Sequence, residues 1–216
     1  ANVKRMYDAN DQINLYYIYG ETQSIAMSES FIDDVFILFN NTQKVVSSRG
    51  NMTSELFYNL YYKSSEISYE DFRDYLGQFH YGDVLPMKLD DGEEIFLFTM
   101  GTLKSTFRDS PAVVCCQINA ETIKNRLQQM KWSDTMDVML LTEQDVRVSA
   151  DEAITEEAEW LYDRWERGSY SRKNKAGEEY MVSVLPSEVL PWKYLSVLPV
   201  KQMKQNAEKV RIMTIV

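Results

Sequence analysis

The sequence predicts an α+β fold: a long N-terminal helix, then two successive units in which helices cover antiparallel sheets, then a C-terminal exit helix. Three observations carry this. Met6, Ala9, Ile13, Tyr16, Gly20 and Met27 follow three- and four-residue spacing with no proline between them, the period of one amphipathic helix. A strand-turn-strand pattern over 31–48 returns over 136–149. Each copy leads into helix and strand signals, so the chain repeats one local plan.

In chain order, 31–39 is a β-rich run, 40–43 is turn-like, and Lys44, Val45, Val46, Ser47 and Ser48 return as a second strand. Ser54 is placed to cap a helix through Tyr62. Ser68, with Asp71 three residues on, opens another through Leu76. A second hairpin joins 87–89 to 95–103 through Asp90, Asp91 and Gly92. A strand over 112–118 follows, and Asn119 caps a helix over 120–130. In the second unit, 136–141 and 146–149 form strands, and Thr155 leads a helix whose Ala158, Leu161, Tyr162 and Trp165 share one side. Strands follow over 168–173, 179–185 and 193–198. From Lys201 the chain turns helical, with Met203, Ala207, Val210 and Thr214 at three-four spacing.

With 216 residues, 44% of them hydrophobic, the chain can bury a real core. Its formal net charge of -10 opposes nucleic-acid binding, which needs a basic stripe to displace counterions. Cys115 and Cys116 are adjacent on one predicted strand and point to opposite faces, so they read as small buried residues rather than a disulfide. No apolar run approaches the ~20 residues of a membrane span. The chain reads as an excised soluble piece, with 212–216 like the first turn of an apolar helix.

Enzyme chemistry is poorly supplied, and no catalytic residue, metal ligand or cofactor is assigned. His80 is the only histidine, so a histidine triad or metal site would hang on it alone. No Gly-x-Ser-x-Gly elbow, P-loop or Gly-x-Gly-x-x-Gly occurs. The paired acids Asp33-Asp34, Asp90-Asp91 and Glu156-Glu157 are adjacent, which does not give the separation glycoside hydrolysis needs.

Several segments resemble the double Cache family of extracellular sensor domains, found in bacterial chemoreceptors, histidine kinases and membrane-bound AraC-type regulators. The stretch 185–199 looks like the family's closing strand, with Trp192-x-Tyr194 followed by Val197-x-Pro199. The run 35–39 with 44–48 resembles the opening hairpin, and 112–118 with Asn119, Ala120 and Glu121 resembles the last strand of the distal unit. The resemblance implies PAS-like units: an N-terminal signalling or dimerisation helix over 1–30, a membrane-distal unit over 31–132, a proximal unit over 133–200, and an exit helix over 201–216 toward a transmembrane segment. It further implies a receptor in the cell membrane with this domain outside the cytoplasm, anchored through flanking segments. A kinase or DNA-binding output would lie elsewhere. Tyr69, Arg73 and Tyr75 partly echo the family's amino-acid motif, with no tryptophan between Arg73 and Tyr75, and those roles are not carried over.

The expected ligand is a small molecule such as a sugar, an amino acid or an organic acid, bound in the distal unit. Candidate contacts are Tyr62, Tyr69, Phe72, Arg73 and Tyr75 from the aromatic-rich stretch 56–81, with Phe96, Phe98 and Met100 as a strand floor. Tyrosines suit stacking, and a guanidinium suits a carboxylate. Two alternatives stay open: that these aromatics simply pack helices onto the sheet, and that the domain reads a protein partner such as a solute-binding protein. A homodimer through the N-terminal helix is a further expected association.

Overall fold

The computed structural model describes residues 12–101, 111–142, 146–150, 167–174, 176–188 and 192–204. The chain divides into two compact units, 1–122 and 123–216. The first opens with helix α1 (Gln12–Ser28) and runs through β1 (Asp34–Phe39), β2 (Lys44–Ser47) and β3 (Gly50–Thr53). Next come α2 (Ser54–Phe57), a π-helical turn (Tyr58–Tyr62), α3 (Tyr69–Gly77), β4 (Tyr81–Lys88), β5 (Glu94–Gly101) and β6 (Ala112–Asn119). Helix α4 (Ala120–Gln129) leads into β7 (Asp137–Thr142), β8 (Arg147–Ser149), β9 (Gly168–Lys173), β10 (Glu179–Pro186) and β11 (Trp192–Pro199) of the second unit.

Local chemistry sets most boundaries. The β1–β2 turn needs left-handed backbone at Gln43, with φ of 52°, and Gln43 Nε2 donates to the Asn40 carbonyl at 2.8 Å to hold it. The cap of α2 is Thr53, whose hydroxyl accepts from the Leu56 amide, rather than the expected Ser54. Ser54 is instead buried and bonds Tyr69 Oη at 2.7 Å. Ser68 does cap α3, accepting from the Asp71 amide at 3.1 Å, and Asn119 Oδ1 accepts from the Glu121 amide at 2.8 Å.

The first sheet is antiparallel throughout, in the order β3-β2-β1-β6-β5-β4. β3 was not anticipated: the polar segment after Ser48 pairs with β2 and makes the expected hairpin a three-strand meander. Alternation gives the sheet two apolar faces. Phe36, Leu38, Val45, Ile95, Leu97, Val113 and Cys115 face α2, the π-helical turn and α3, packing on Phe57, Tyr58, Tyr62, Phe72 and Leu76. Phe39, Val46 and Ala112 face α1 and cover Leu15 and Ile18. The expected stripe of α1 is therefore turned: Leu15, Ile18 and Thr22 are buried, whereas Tyr16 and Met27 stand 74% and 84% exposed. The run Leu15-Tyr16-Tyr17-Ile18-Tyr19 is apolar on every side, so the sheet selects which side is covered. Met6 and Ala9 lie outside the described residues.

The second unit's sheet, order β8-β7-β11-β10-β9, is also antiparallel. Met139, Leu141, Val182, Val184, Leu195 and Val197 form the core on one face. The other face carries Ser169, Ser183 and Ser196 in direct register, followed by Val138. The helix expected after Thr155 and positions 205–216 of the exit helix lie outside the described residues. Backbone at 200–204 is helical.

Phe36 is fully buried, with ring centroids 4.8 Å from Phe57 and 5.4 Å from Tyr62. Phe36→Ala should cost about 3–5 kcal/mol of unfolding free energy in urea titration, the toll of a large core truncation. A loss under about 1 kcal/mol would mean that this aromatic cluster does not hold the helices to the sheet.

Candidate ligand-binding site

The helix-covered face of the first sheet concentrates buried polar groups. β1 begins on Asp34, whose side chain turns to this face opposite Gln117 of β6. Both are buried, at 0% and 3% exposure. Tyr62, also fully buried, donates to Gln117 Oε1 at 2.8 Å and approaches Asp34 Oδ2 at 3.4 Å. Ser48 Oγ donates to Asp34 Oδ1 at 2.5 Å, and Arg49 Nε lies 3.4 Å from Asp34 Oδ2. The Arg49 guanidinium sits 4.7 Å above the Tyr61 ring, so one side chain bridges the acid and an aromatic face.

The π-helical turn makes this network reachable from the helices. It presents both Tyr58 and Tyr62 inward, beside Phe57 and Phe72, with Tyr62 and Phe72 rings stacked at 5.7 Å. Tyr58 Oη donates to the Ile67 carbonyl, tying the turn to the loop that leads into α3. Wide turns of this kind recur at functional sites.

A second polar group lies toward β4. His80 is 3% exposed, and both ring nitrogens face oxygen acceptors: Nδ1 meets Asp83 Oδ2 at 2.8 Å and Nε2 meets the Tyr75 carbonyl at 2.7 Å. The Tyr75 ring packs 4.4 Å from the imidazole. Burial pushes the Tyr75 hydroxyl up to about 12, with Thr99 pulling the other way and Asp83 adding to the rise. Its buried Oη has no well-formed hydrogen-bond partner among the described residues.

The sequence-selected residues divide over two faces. Tyr62 and Phe72 are wholly inside the aromatic core, and Tyr69 and Tyr75 pack against it half-buried. Arg73 turns outward and forks onto its neighbour Asp74 at 2.8 and 3.1 Å. Phe96, Phe98 and Met100 lie on the opposite side of β5, paired with Ile118, Cys116 and Val114. The strand floor beneath α3 consists of Ile95, Leu97 and Thr99 instead, one residue out of phase with the expectation. Asp34, Gln117 and Arg49 were not selected from sequence as ligand contacts, whereas His80 lies within the aromatic-rich stretch 56–81 that was. The charge of Asp34 inside the β-rich run 31–39 was the available signal.

The thiols are unsuited to nucleophilic chemistry. Burial pushes Cys115 well up, and burial, helped by Asp34 and Asp33, holds Cys116 at about 11, so both stay protonated at neutral pH.

Burial raises the pKa of Asp34 above its ordinary 3.8, against the Ser48 hydrogen bond and the Arg49 charge, which lower it. The folded state therefore binds this proton more readily than the unfolded chain. The Asp34 contribution to stability must rise as pH falls through the raised value toward 3.8. Unfolding titrations of wild type and Asp34→Asn across that range should show wild type gaining on the variant with acidification. A flat or reversed difference would show that the carboxylate is not penalised by burial.

No family model matches the sequence, and no curated protein matches it. Solved structures do. The extracellular domain of mmHK1S-Z3, described as a histidine kinase, superposes with a TM-score of 0.53 at 9% identity, covering 95% of this chain and 86% of that one. The extracellular domain of soHK1S-Z6, described likewise, gives 0.52 at 12% identity, covering 92% and 82%. With two antiparallel-sheet units in succession behind a helix, the chain has the fold of these histidine-kinase extracellular domains.

Proposed function

We propose that this chain is the extracytoplasmic sensing domain of a membrane receptor of the double Cache type, and that it recognises a small molecule in its first unit by binding rather than catalysis. The observation that carries this reading is the likeness to kinase extracellular domains over 95% of the chain, which takes in both units. The step from fold to role is one of analogy. The site supplies a physical basis: an aromatic wall of Tyr69 and Tyr75 on α3, backed by Tyr62 and Phe72, with the Tyr75 hydroxyl unsatisfied among the described residues and the Asp34–Arg49 pair beside Tyr62 and Tyr61. Sugars, amino acids and organic acids fit such a mixture.

In this reading, signalling is a change in how α3 and the π-helical turn rest on the sheet. The ligand favours one of two arrangements by its differential affinity for them. The tight packing of Tyr62 and Phe72 makes intermediate positions unfavourable, since cores deform poorly.

A second reading is favoured by one observation. Leu56 and Leu60, one helical turn apart on the outer side of α2 and the π-helical turn, are 49% and 57% exposed. A protein partner docking there would need no cavity.

Thermal unfolding against sugars, amino acids, organic acids and nucleobases separates the two. A ligand at about 100 times its Kd adds ~2.7 kcal/mol, several degrees for a chain of this size. We expect a hit that Tyr75→Ala removes. A hit that survives Tyr75→Ala would place the site elsewhere. Silence across every class would overturn the small-molecule reading in favour of the protein partner, whose binding Leu60→Glu should then weaken.

A further inference from the structure

We propose that the second unit has a binding site of its own, for a small amphipathic carboxylate, on the face of its sheet opposite the core. A cavity of about 400 Å³ lies there. That is within the roughly 300–1,000 Å³ typical of small-molecule sites. Its floor is the serine row: Ser183 stands directly opposite Ser169 on β9 and Ser196 on β11, and Val138 of β7 continues the row. Four adjacent strands make this row about 14 Å long.

The floor and walls differ in chemistry. Ser169 and Ser183 satisfy each other at 2.8 Å, whereas the hydroxyls of Ser196 and Tyr194 have no hydrogen-bond partner among the described residues. Leu185 lies across from Tyr194, and Met130, which follows α4, and Met136 complete an apolar wall. Hydroxyls on a sheet face walled by aliphatic side chains are kept partly from water, so a ligand that reaches them gains both hydrogen bonds and apolar contact.

Among the described residues, one charged side chain borders the cavity. Arg167, at the bend before β9, is exposed and forms no ion pair among the described residues, in a chain of net charge -10. A guanidinium with no ion pair among the described residues, at the mouth of a cavity whose other described lining is apolar or hydroxyl-bearing, selects a carboxylate, which it can grip with two parallel N–H···O bonds while the tail lies along the serine row. A dianion or a cation would leave charge against Leu185 and the methionines. This site is distinct from the ligand site proposed for the first unit, since every described residue that lines it belongs to the second.

The test is amide chemical-shift mapping of the 216-residue chain titrated with hexanoate and, separately, with hexan-1-ol. We expect saturable shifts at Ser169, Ser183 and Ser196 with hexanoate, and binding weaker by about tenfold or more for Arg167→Gln and for the alcohol. Ser196→Leu fills the floor and should abolish the shifts while the rest of the spectrum stays folded. Tyr75→Ala in the first unit should leave them unchanged. The proposal is overturned by an absence of saturable shifts at the serine row, by equal affinity of Arg167→Gln or of the alcohol, by binding that persists in Ser196→Leu, or by loss of the shifts in Tyr75→Ala.

Discussion

The pairing of β1 with β6 sets Asp34 opposite Gln117 and Phe36 opposite Cys115, joining segments some eighty positions apart in the chain. Side chains alternate across a sheet, so a slip of one residue would send Asp34, Phe36 and Leu38 toward α1 and leave Tyr62 facing Val35 and Ile37. The register is held at both ends. The Asp33 carboxylate accepts from the Asn119 amide at 2.7 Å, and the Asn40 amide donates to the Pro111 carbonyl at 3.0 Å. The helix-covered core, the π-helical turn and the buried acid network all follow from this one alignment.

That network is an unusual use of a central strand. An unpaired carboxylate in such a position would cost several kcal/mol, and each partner recovers only part of it. Ser48 and Arg49 come from the β2–β3 turn, Gln117 from β6 and Tyr62 from the π-helical turn, so three separate segments converge on one acid. Polar groups satisfied only when every segment is in place specify a single arrangement more sharply than apolar packing does. They also give the helices an electrostatic connection to the sheet, in addition to the stacking of Tyr62 on Phe72.

Much of this architecture is legible in the sequence. The caps at Ser68 and Asn119 act through nearby backbone amides, so the local sequence reveals them, and most strands stand out by alternation or β-branched content, though β3 and the 81–86 part of β4 do not. What escapes sequence is what depends on distant partners. Tyr16 and Met27 look as apolar as Leu15 and Ile18, and only Phe39, Val46 and Ala112 decide which side of α1 is covered. The five residues after Phe57 read as ordinary helix, and no local signal marks the wider turn. Phe96, Phe98 and Met100 are the obvious aromatic floor by composition, yet the parity of β5 against β6 puts Leu97 and Thr99 under α3. Hydrophobic patterning locates a strand more readily than it says which of two apolar faces meets which helix.

The outer strands of both sheets bear on how any protein could associate with this one. β3 and β8 span only four and three residues. β4 carries Pro86, which lacks an amide hydrogen, and breaks register between Tyr81 and Asp83. β9 alternates serines with Tyr170 and Arg172 and ends on Lys173. Each is a poor template for another chain's strand, whether through brevity, irregularity or charge. Crowded copies of this domain should therefore resist edge-to-edge polymerisation, and a partner would have to recognise side chains rather than extend a ladder of backbone hydrogen bonds.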